Sequence, residues 1–500
     1  MMHPIDVAVF VLYMAGVLGV GFYFMRRNAG NEDYYLGGRN MDYKHVGLSV
    51  VATDVGGGFS IGLGGLGFVM GISGSWMLFT GLIGAWMAAV LLIPRVKPIA
   101  DAQRFYTMPD LFGYFFSSKA AIIAGVISAI GYLGFTSSQI LAGAVLASAT
   151  FDGLSLNTAL YVMGFIIIIY TVMGGIKAVI YTDTFQWILL LGGLIFIGIP
   201  LGYQAVGGYE AIAATVAPEM LRLSNISWQQ ILNWGITIIP IWFVGMTLYQ
   251  RIYATRSVAE AKKAWYLAGL FEWPVMAFMG VLLGLFARVA ADQGLFAYLG
   301  FAGVEGIHQE QGLPFLLRTI LPVGLMGLMM AAYFSAIMST ADSCLVAASG
   351  NITGDLLRKW MGFDLDDARL IRLSQLVTLL LGAAALMLAA AMETVLDIML
   401  YSYAVMVSGL LVPILGGLYW KRAGSEAAIA SMLTGGGLTL LLTLIPEMQR
   451  ARGSAEILTL PLGLDPIIFG ITAAAAVFFI TGLIRPRKPS IEKNNSSVTR

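Results

Sequence analysis

Two short stretches hold the residues able to do chemistry in an otherwise apolar chain. The first runs from Val51 to Gly67, and glycine fills seven of its twelve positions between Gly56 and Gly67. Glycine weakens a helix, and the ionisable Asp54 stands just before the cluster, where a carboxylate in hydrocarbon is costly. A helix interrupted at membrane depth frees backbone carbonyls that lipid cannot satisfy. Turned toward a protein cavity, such carbonyls coordinate small cations. Close helix packing through small residues calls for the same glycines, and this segment alone leaves both readings open.

The second stretch runs from Ser335 to Ser349, with Ser335, Ser339, Thr340, Asp342 and Ser343 inside nine positions. At helical spacing Ala336, Ser339, Thr340 and Ser343 share one face. Hydroxyl and carbonyl oxygens are hard ligands of the kind small hard cations take. Packing through hydroxyl residues is the alternative, but it has no need of the charge on Asp342. A weaker feature is Tyr181-Thr182-Asp183, where an acid in the first turn of a helix is favoured by the dipole in any case. The histidines His3, His45 and His308 fall near predicted membrane edges, and Cys344 is the single cysteine. A disulfide framework and a Cys/His metal centre are therefore excluded. No nucleophile–base arrangement, cofactor motif or nucleic-acid motif emerges, so an enzyme is not expected.

These residues must be positioned by membrane helices. The 500 residues are 58% hydrophobic and 11% charged, with mean hydropathy +0.81; soluble chains carry about 25% charged residues. Thirteen apolar segments are expected, at 6–25, 45–72, 76–94, 121–149, 158–175, 183–204, 228–250, 265–290, 314–350, 370–391, 396–419, 424–445 and 465–484. They are too long for barrel strands. The segment 314–350 exceeds one helix and should contain a short external piece before a long helix starting near Pro322. With the N-terminus external, all of the 29 basic residues except Arg222, Arg288, Arg318, Arg450 and Arg452 fall in cytoplasmic loops or the tail. That bias supports the segment count and the orientation. The first segment lacks a basic leader and reads as a span rather than a signal peptide. The polar tail 485–500 is expected in the cytoplasm, and the loops 205–227 and 291–321 outside, as a lid or as connectors.

Five motifs in order then resemble the sodium:solute symporter family: Asp33-Tyr-Tyr-Leu-Gly-Gly-Arg39, the glycine-rich segment, Tyr170-Thr-Val-Met-Gly-Gly175, Tyr181-Thr-Asp183 and Ser339-Thr-Ala-Asp-Ser343. The resemblance implies an all-α, LeuT-type inverted-repeat core. It divides the chain into an extra helix at 6–25, repeats at 45–204 and 228–419, and two extra helices at 424–484. The counterpart of the glycine-rich helix is Trp234–Gly245, interrupted by Pro240 with Gly235 and Gly245, unless Pro240 only kinks it. The resemblance further implies a sodium site from the carbonyls of Ala52, Val55 and Ala336 and the hydroxyls of Ser339 and Thr340. A second sodium site, present in some relatives, would use Asp183, Ser339 and Ser343. Asp342 departs from those relatives and leaves the stoichiometry open.

For the solute, Asp54 matches the aspartate of proline transporters in the family, while the glycine triplet after it resembles choline transporters. The choline cage is not kept, because Asp54 and Gly245 stand at cage positions and only Phe135 is aromatic; a cage needs several faces. Sugar transporters carry polar, acidic residues where Gly58 and Phe59 stand here, and no arginine is expected at the midplane to clamp a carboxylate. By subtraction the pocket is small and partly apolar, with Asp54, Gly58, Phe59, Phe135, Gln139, Trp242 and Met246 as candidate lining residues. The expected function is alternating-access symport of a small organic solute (amino-acid-like, vitamin or carboxylate) with Na⁺ as coupling ion. Proton coupling through Asp54 or Asp342, or a sensor or channel on the same scaffold, are the alternatives. The expected partners are solute, sodium and the bilayer of a plasma or inner membrane, with no nucleic acid and no obligate protein partner evident.

Overall fold

A computed structural model describes residues 3–25, 37–54, 56–173, 176–353, 367–420, 422–452 and 458–487. Val55, the stretch 33–36, Gly174, Gly175 and the tail from Lys488 lie outside the described residues. The described chain is helical. It contains no strand, only isolated bridges between Met41 and Thr255 and between Ala423 and Pro486.

The first helices are α1 (Pro4–Met25), α2 (Tyr43–Asp54), α3 (Gly56–Met70) and α4 (Trp76–Met87). The tight turn Gly71–Ser75 joins α3 to α4, and α4 runs on through Ala88–Leu92 into Ile93–Gln103. Next come α5 (Ser118–Thr150), α6 (Leu156–Met173) and α7 (Ile176–Gly193), the last continuing to Ala205. The second half contains α8 (Trp228–Val244), α9 (Met246–Ala254), α10 (Val258–Leu270) and α11 (Ala277–Asp292). It continues with α12 (Gly312–Ile320), α13 (Leu325–Gly350), α14 (Asp367–Ala390) and α15 (Val395–Tyr419). The last two helices are α16 (Ser425–Ala451) and α17 (Pro466–Ile484).

Among the described residues nine helices are long and apolar enough to cross a bilayer, or ten if the bent pair α8 and α9 counts as one span. The thirteen expected segments are not all of that length. Pro4–Val17 and Leu156–Val172 are shorter apolar helices, and Ser60–Gln103 forms one continuous run where two segments were expected. The segment 314–350 divides as anticipated, into α12 and then α13 after Pro322.

The helices differ in how deeply they sit in the bundle. The apolar window of α13 is wholly buried, whereas those of α14 and α17 are 22% and 28% buried. The serine-rich helix is therefore at the centre, and α14 and α17 are at the rim. Phe165, Phe196, Leu380 and Met387 stand exposed on the rim, as side chains facing lipid would.

Two carboxylates tie helix ends together. Asp6 on α1 accepts from the N–H groups of Gly324 and Gly327 at 2.7 and 2.8 Å, capping the start of α13. The buried Glu310 accepts from the N–H groups of Val395 and Leu396 at 2.9 and 3.1 Å, capping α15. The loops 205–227 and 291–321 hold short helices at Gly208–Thr215, Pro218–Leu221, Ala297–Leu299 and Gln309–Gln311.

Candidate functional site

The first discontinuity falls where the glycines begin. Helix α2 ends at Asp54, and α3 opens at Gly56 with φ +53°, a left-handed conformation that glycine adopts without strain. Directly opposite stands Thr340 of α13. Its hydroxyl lies 3.1 Å from the carbonyl oxygen of Ala52 and 3.0 Å from that of Ala336. A side chain at Gly56 would press to 2.8 Å from the same hydroxyl. Ala52, Ala336, Ser339 and Thr340 are all buried. The Thr340 hydroxyl thus stands about 3 Å from two backbone carbonyl oxygens of different helices, and oxygens of these kinds are the ligands a hard cation takes.

The glycine-rich segment performs both tasks that its sequence left open. Gly56 makes the break. Beyond it, a Cβ on Gly67 would sit 2.2 Å from the Val281 carbonyl oxygen, and one on Gly284 would sit 2.0 Å from that of Gly64. Helices α3 and α11 therefore touch backbone to backbone, as small-residue packing allows.

The second discontinuity lies between α8 and α9, bent by 43°. The bend comes at Gly245, which is extended at φ −66°, ψ 117°, while Pro240 is accommodated inside α8. Both breaks are met by one face of α5. The Gly58 N–H donates to Gln139 Oε1 at 3.1 Å, and the Thr247 N–H donates to the Tyr132 hydroxyl at 3.0 Å. Tyr132 and Gln139 are seven residues apart, two helical turns, so a single helix edge satisfies an amide at each interruption. Tyr132 was missed in the sequence reading. Its signal was an i, i+7 polar pair on an apolar helix.

The candidate solute residues separate into groups. Phe135 lies between Tyr132 and Gln139 on the same edge of α5, its ring 5.3 Å from that of Tyr403 on α15. Gln139 meets Gly58 across the break. Trp242 points elsewhere, buried with its ring 6.2 Å from Trp265 of α10 and close against Gly84 of α4. Met246 also faces away; its sulfur accepts from the Met108 N–H at 3.1 Å. Asp54 closes α2, Phe59 belongs to α3 and Asp183 to α7, with side chains outside the described residues.

One basic residue corrects the sequence reading. Arg251 was expected in a cytoplasmic loop, yet it lies within α9 and is fully buried. Its guanidinium donates to Thr53 and Ser343 at 2.5 and 3.4 Å. A guanidinium therefore reaches the helix of the oxygen cluster, where no arginine was anticipated. Hydroxyls on two packed helices, with a backbone carbonyl of α9 itself, offset the desolvation that the linear sequence could not weigh. Asp342 and Ser343 are buried on the same turn of α13.

Comparison with known proteins gives this geometry a context. The chain is 28% identical to the sodium/glucose cotransporter of Vibrio parahaemolyticus over 88% of its length and 86% of the relative's. It is 28% identical to the osmoregulated proline transporter of Bacillus subtilis, covering 96% and 95% of the two chains. The sodium/proline symporter of Escherichia coli is also 28% identical, with 85% of each chain covered. A Na⁺-coupled sialic acid symporter in a substrate-bound, outward-open state shares the fold at TM-score 0.77, with 21% identity over 97% of this chain and 99% of that one. The architecture is thus of the LeuT type. Residues 34–435 match the profile of the sodium:solute symporter family, and the chain belongs to that family.

Proposed function

We propose that this protein is a secondary active transporter that carries a small organic solute across the membrane together with Na⁺, by alternating access. The observation that carries the reading is the meeting of the Ala52 and Ala336 carbonyls with the Thr340 hydroxyl at the first broken helix. With Val55 and Ser339 these groups form the sodium site in this reading. Asp183, Ser339, Asp342 and Ser343 form a second. A sodium gradient and membrane voltage supply the work, about 2.3 kcal/mol per charge per 100 mV. The repeats span 45–204 and 228–419. The N-terminus faces outward, and the end of α2 at Tyr43 and the end of α9 at Ala254 face the cytoplasm, in a plasma or inner membrane.

Gly58, Phe135 and Gln139 form the best-supported part of the solute pocket, with Asp54 and Phe59 beside it. The relatives include a proline transporter and a sodium/glucose cotransporter. Asp54, and the non-acidic Gly58 and Phe59, favour an amino-acid-like solute over a sugar. The reading is tested by uptake of amino acids, vitamins, carboxylates and sugars with and without Na⁺. The double variant Ser339→Ala/Thr340→Ala should raise the Na⁺ concentration for half-activation at least about tenfold, ~1.4 kcal/mol, at normal abundance in the membrane. Unchanged Na⁺ activation would refute the site. Asp54→Asn should lose Na⁺-driven accumulation by about tenfold, with Asp54→Glu retaining part of it. A normal Na⁺ response in Asp54→Asn would make Asp54 structural.

A further inference from the structure

Arg251 is fully buried, and its guanidinium holds three separate elements together. Nε donates to Ser49 Oγ at 3.2 Å and Nη2 to Thr53 Oγ1 at 2.5 Å, both on α2. Nη1 donates to the Thr247 carbonyl at 3.2 Å, at the start of α9, and Nη2 reaches Ser343 Oγ on α13 at 3.4 Å. Each of these four partners is a neutral oxygen. Only a planar fork with five N–H groups reaches all four; a lysine ammonium has three.

The placement of these partners matters more than their number. Thr53 follows Ala52, whose carbonyl meets Thr340, and Ser343 lies one turn from Ser339 and Thr340 on α13. The half-helices α2 and α9, which lead away from the two breaks, are thus bound to each other and to α13 just below the oxygen cluster. Parting α2 from α13 must expose the guanidinium to water, because a buried cation stripped of its oxygens is strongly disfavoured. A contact set that holds only while α2 rests on α13 has the form of a two-state element.

We propose that Arg251 is a positioning residue for the sodium site and the latch of the cytoplasmic vestibule, closed when α2 rests on α13 and released when the vestibule opens. This rests on the sodium-site and sidedness assignments above. It assigns to a residue outside the ion and solute sites the coupling between ion occupancy and inward opening.

The chain carries its own reporter. Cys344, the single cysteine, is buried on α13 one turn from Thr340, so it becomes reactive only when the helices around it part. Inside-out vesicles holding the full chain would be treated with a membrane-impermeant maleimide, with and without Na⁺. In the wild type Na⁺ should slow labelling. Arg251→Gln should label about tenfold faster and lose Na⁺ protection, and Arg251→Lys should fall between. Wild-type labelling and protection in Arg251→Gln would overturn the latch. If Arg251→Gln does not reach the membrane, Thr53→Val removes one partner and leaves the arginine; it should label about threefold faster, and no change would likewise overturn the proposal. Ser339→Ala/Thr340→Ala separates the two readings. With the latch intact it should lose Na⁺ protection while basal labelling stays low. Absent Na⁺ protection in the wild type would count against the sodium site, while the faster labelling of Arg251→Gln would still support the latch.

Discussion

At the first break the chain turns left-handed through Gly56, and the hydroxyl of Thr340 stands where a Cβ would have to go. At the second break Gly245 keeps an ordinary φ of −66°, and the nearest atoms to an added Cβ are a flexible Leu248 methyl at 3.1 Å and the Ile241 carbonyl at 3.3 Å. The first interruption is defined by the absence of a side chain and opens onto oxygens. The second is defined by a neighbour, since the freed Thr247 amide is satisfied by Tyr132. Two breaks of similar outline therefore fail in different ways: one sterically, the other by losing a hydrogen bond.

The sharpest way to break this comparison is alanine at each glycine. Gly56→Ala combines left-handed strain, about 1–3 kcal/mol, with a collision against Thr340. Sodium activation should weaken about 100-fold, ~2.7 kcal/mol, measured as the Na⁺ concentration for half-maximal uptake. Gly245→Ala should change it less than about threefold. Equal losses at both sites would erase the distinction drawn here.

A smaller effect is expected from the edge of α5. Tyr132→Phe removes the acceptor for the Thr247 amide together with the 3.0 Å hydroxyl contact to Thr247 Oγ1, and a buried amide left unsatisfied costs about 1–3 kcal/mol. Turnover should fall about tenfold, with sodium affinity little changed because Thr340 is untouched. Gln139→Leu removes the acceptor for Gly58, beside the oxygen cluster, and should weaken solute affinity as well. Uptake kinetics over a range of both Na⁺ and solute separate these outcomes.

The smallest expected effect lies at the far end of α3, where a Cβ on Gly65 would come 3.2 Å from Glu310. Burial pushes the Glu310 carboxyl up to about 7, against the pull of the Val395 and Leu396 amides and with the nearby Asp397 adding to the rise. His308, beside it, is lowered by burial, while Glu393 and Asp397 raise it. Once hydrated, Glu310 returns to its ordinary value near 4.5. At Glu310 the docked loop then binds more protons than the undocked one between about pH 4.5 and 7, and the lowered His308 opposes this as pH falls below its ordinary 6.5. Docking should strengthen as pH falls through that window and weaken as pH rises through 7. Hydrogen exchange of residues 309–311 should slow a few-fold from pH 7.5 to 6, after correction for intrinsic rates. Glu310→Gln should flatten this dependence; an unaltered dependence would remove Glu310 as its source.

The readings that held and those that did not differ in what they depended on. Hydropathy and helical spacing suffice to identify α13 as a helix with Ser339, Thr340 and Ser343 on one face, because spacing along one helix is local. They also place the first break at the glycines. They could not separate the break-making Gly56 from the packing glycine Gly67, since that depends on whether Thr340 or the backbone of α11 lies opposite. Trp242 and Met246 are candidate lining residues by subtraction from the sequence, while in the structure Trp242 packs on Trp265 and the Met246 sulfur accepts from the Met108 N–H. Arg251 looked like a loop cation because charge counting assigns basic residues to membrane edges. Its hydroxyl partners come from helices some 200 and 90 positions away in the chain.

The sequence by itself determined the apolar helical class, the glycine interruption and the oxygen-bearing face of α13, all of which follow from composition and short-range periodicity. Only the tertiary structure decided that the Ala52 carbonyl meets Thr340, that one edge of α5 satisfies both breaks, and that a buried arginine joins α2, α9 and α13. The physical reason is that hydrogen-bond satisfaction in a membrane interior is a condition on every nearby group at once. The sequence records the donors and acceptors, while the packing of distant helices selects which of them meet.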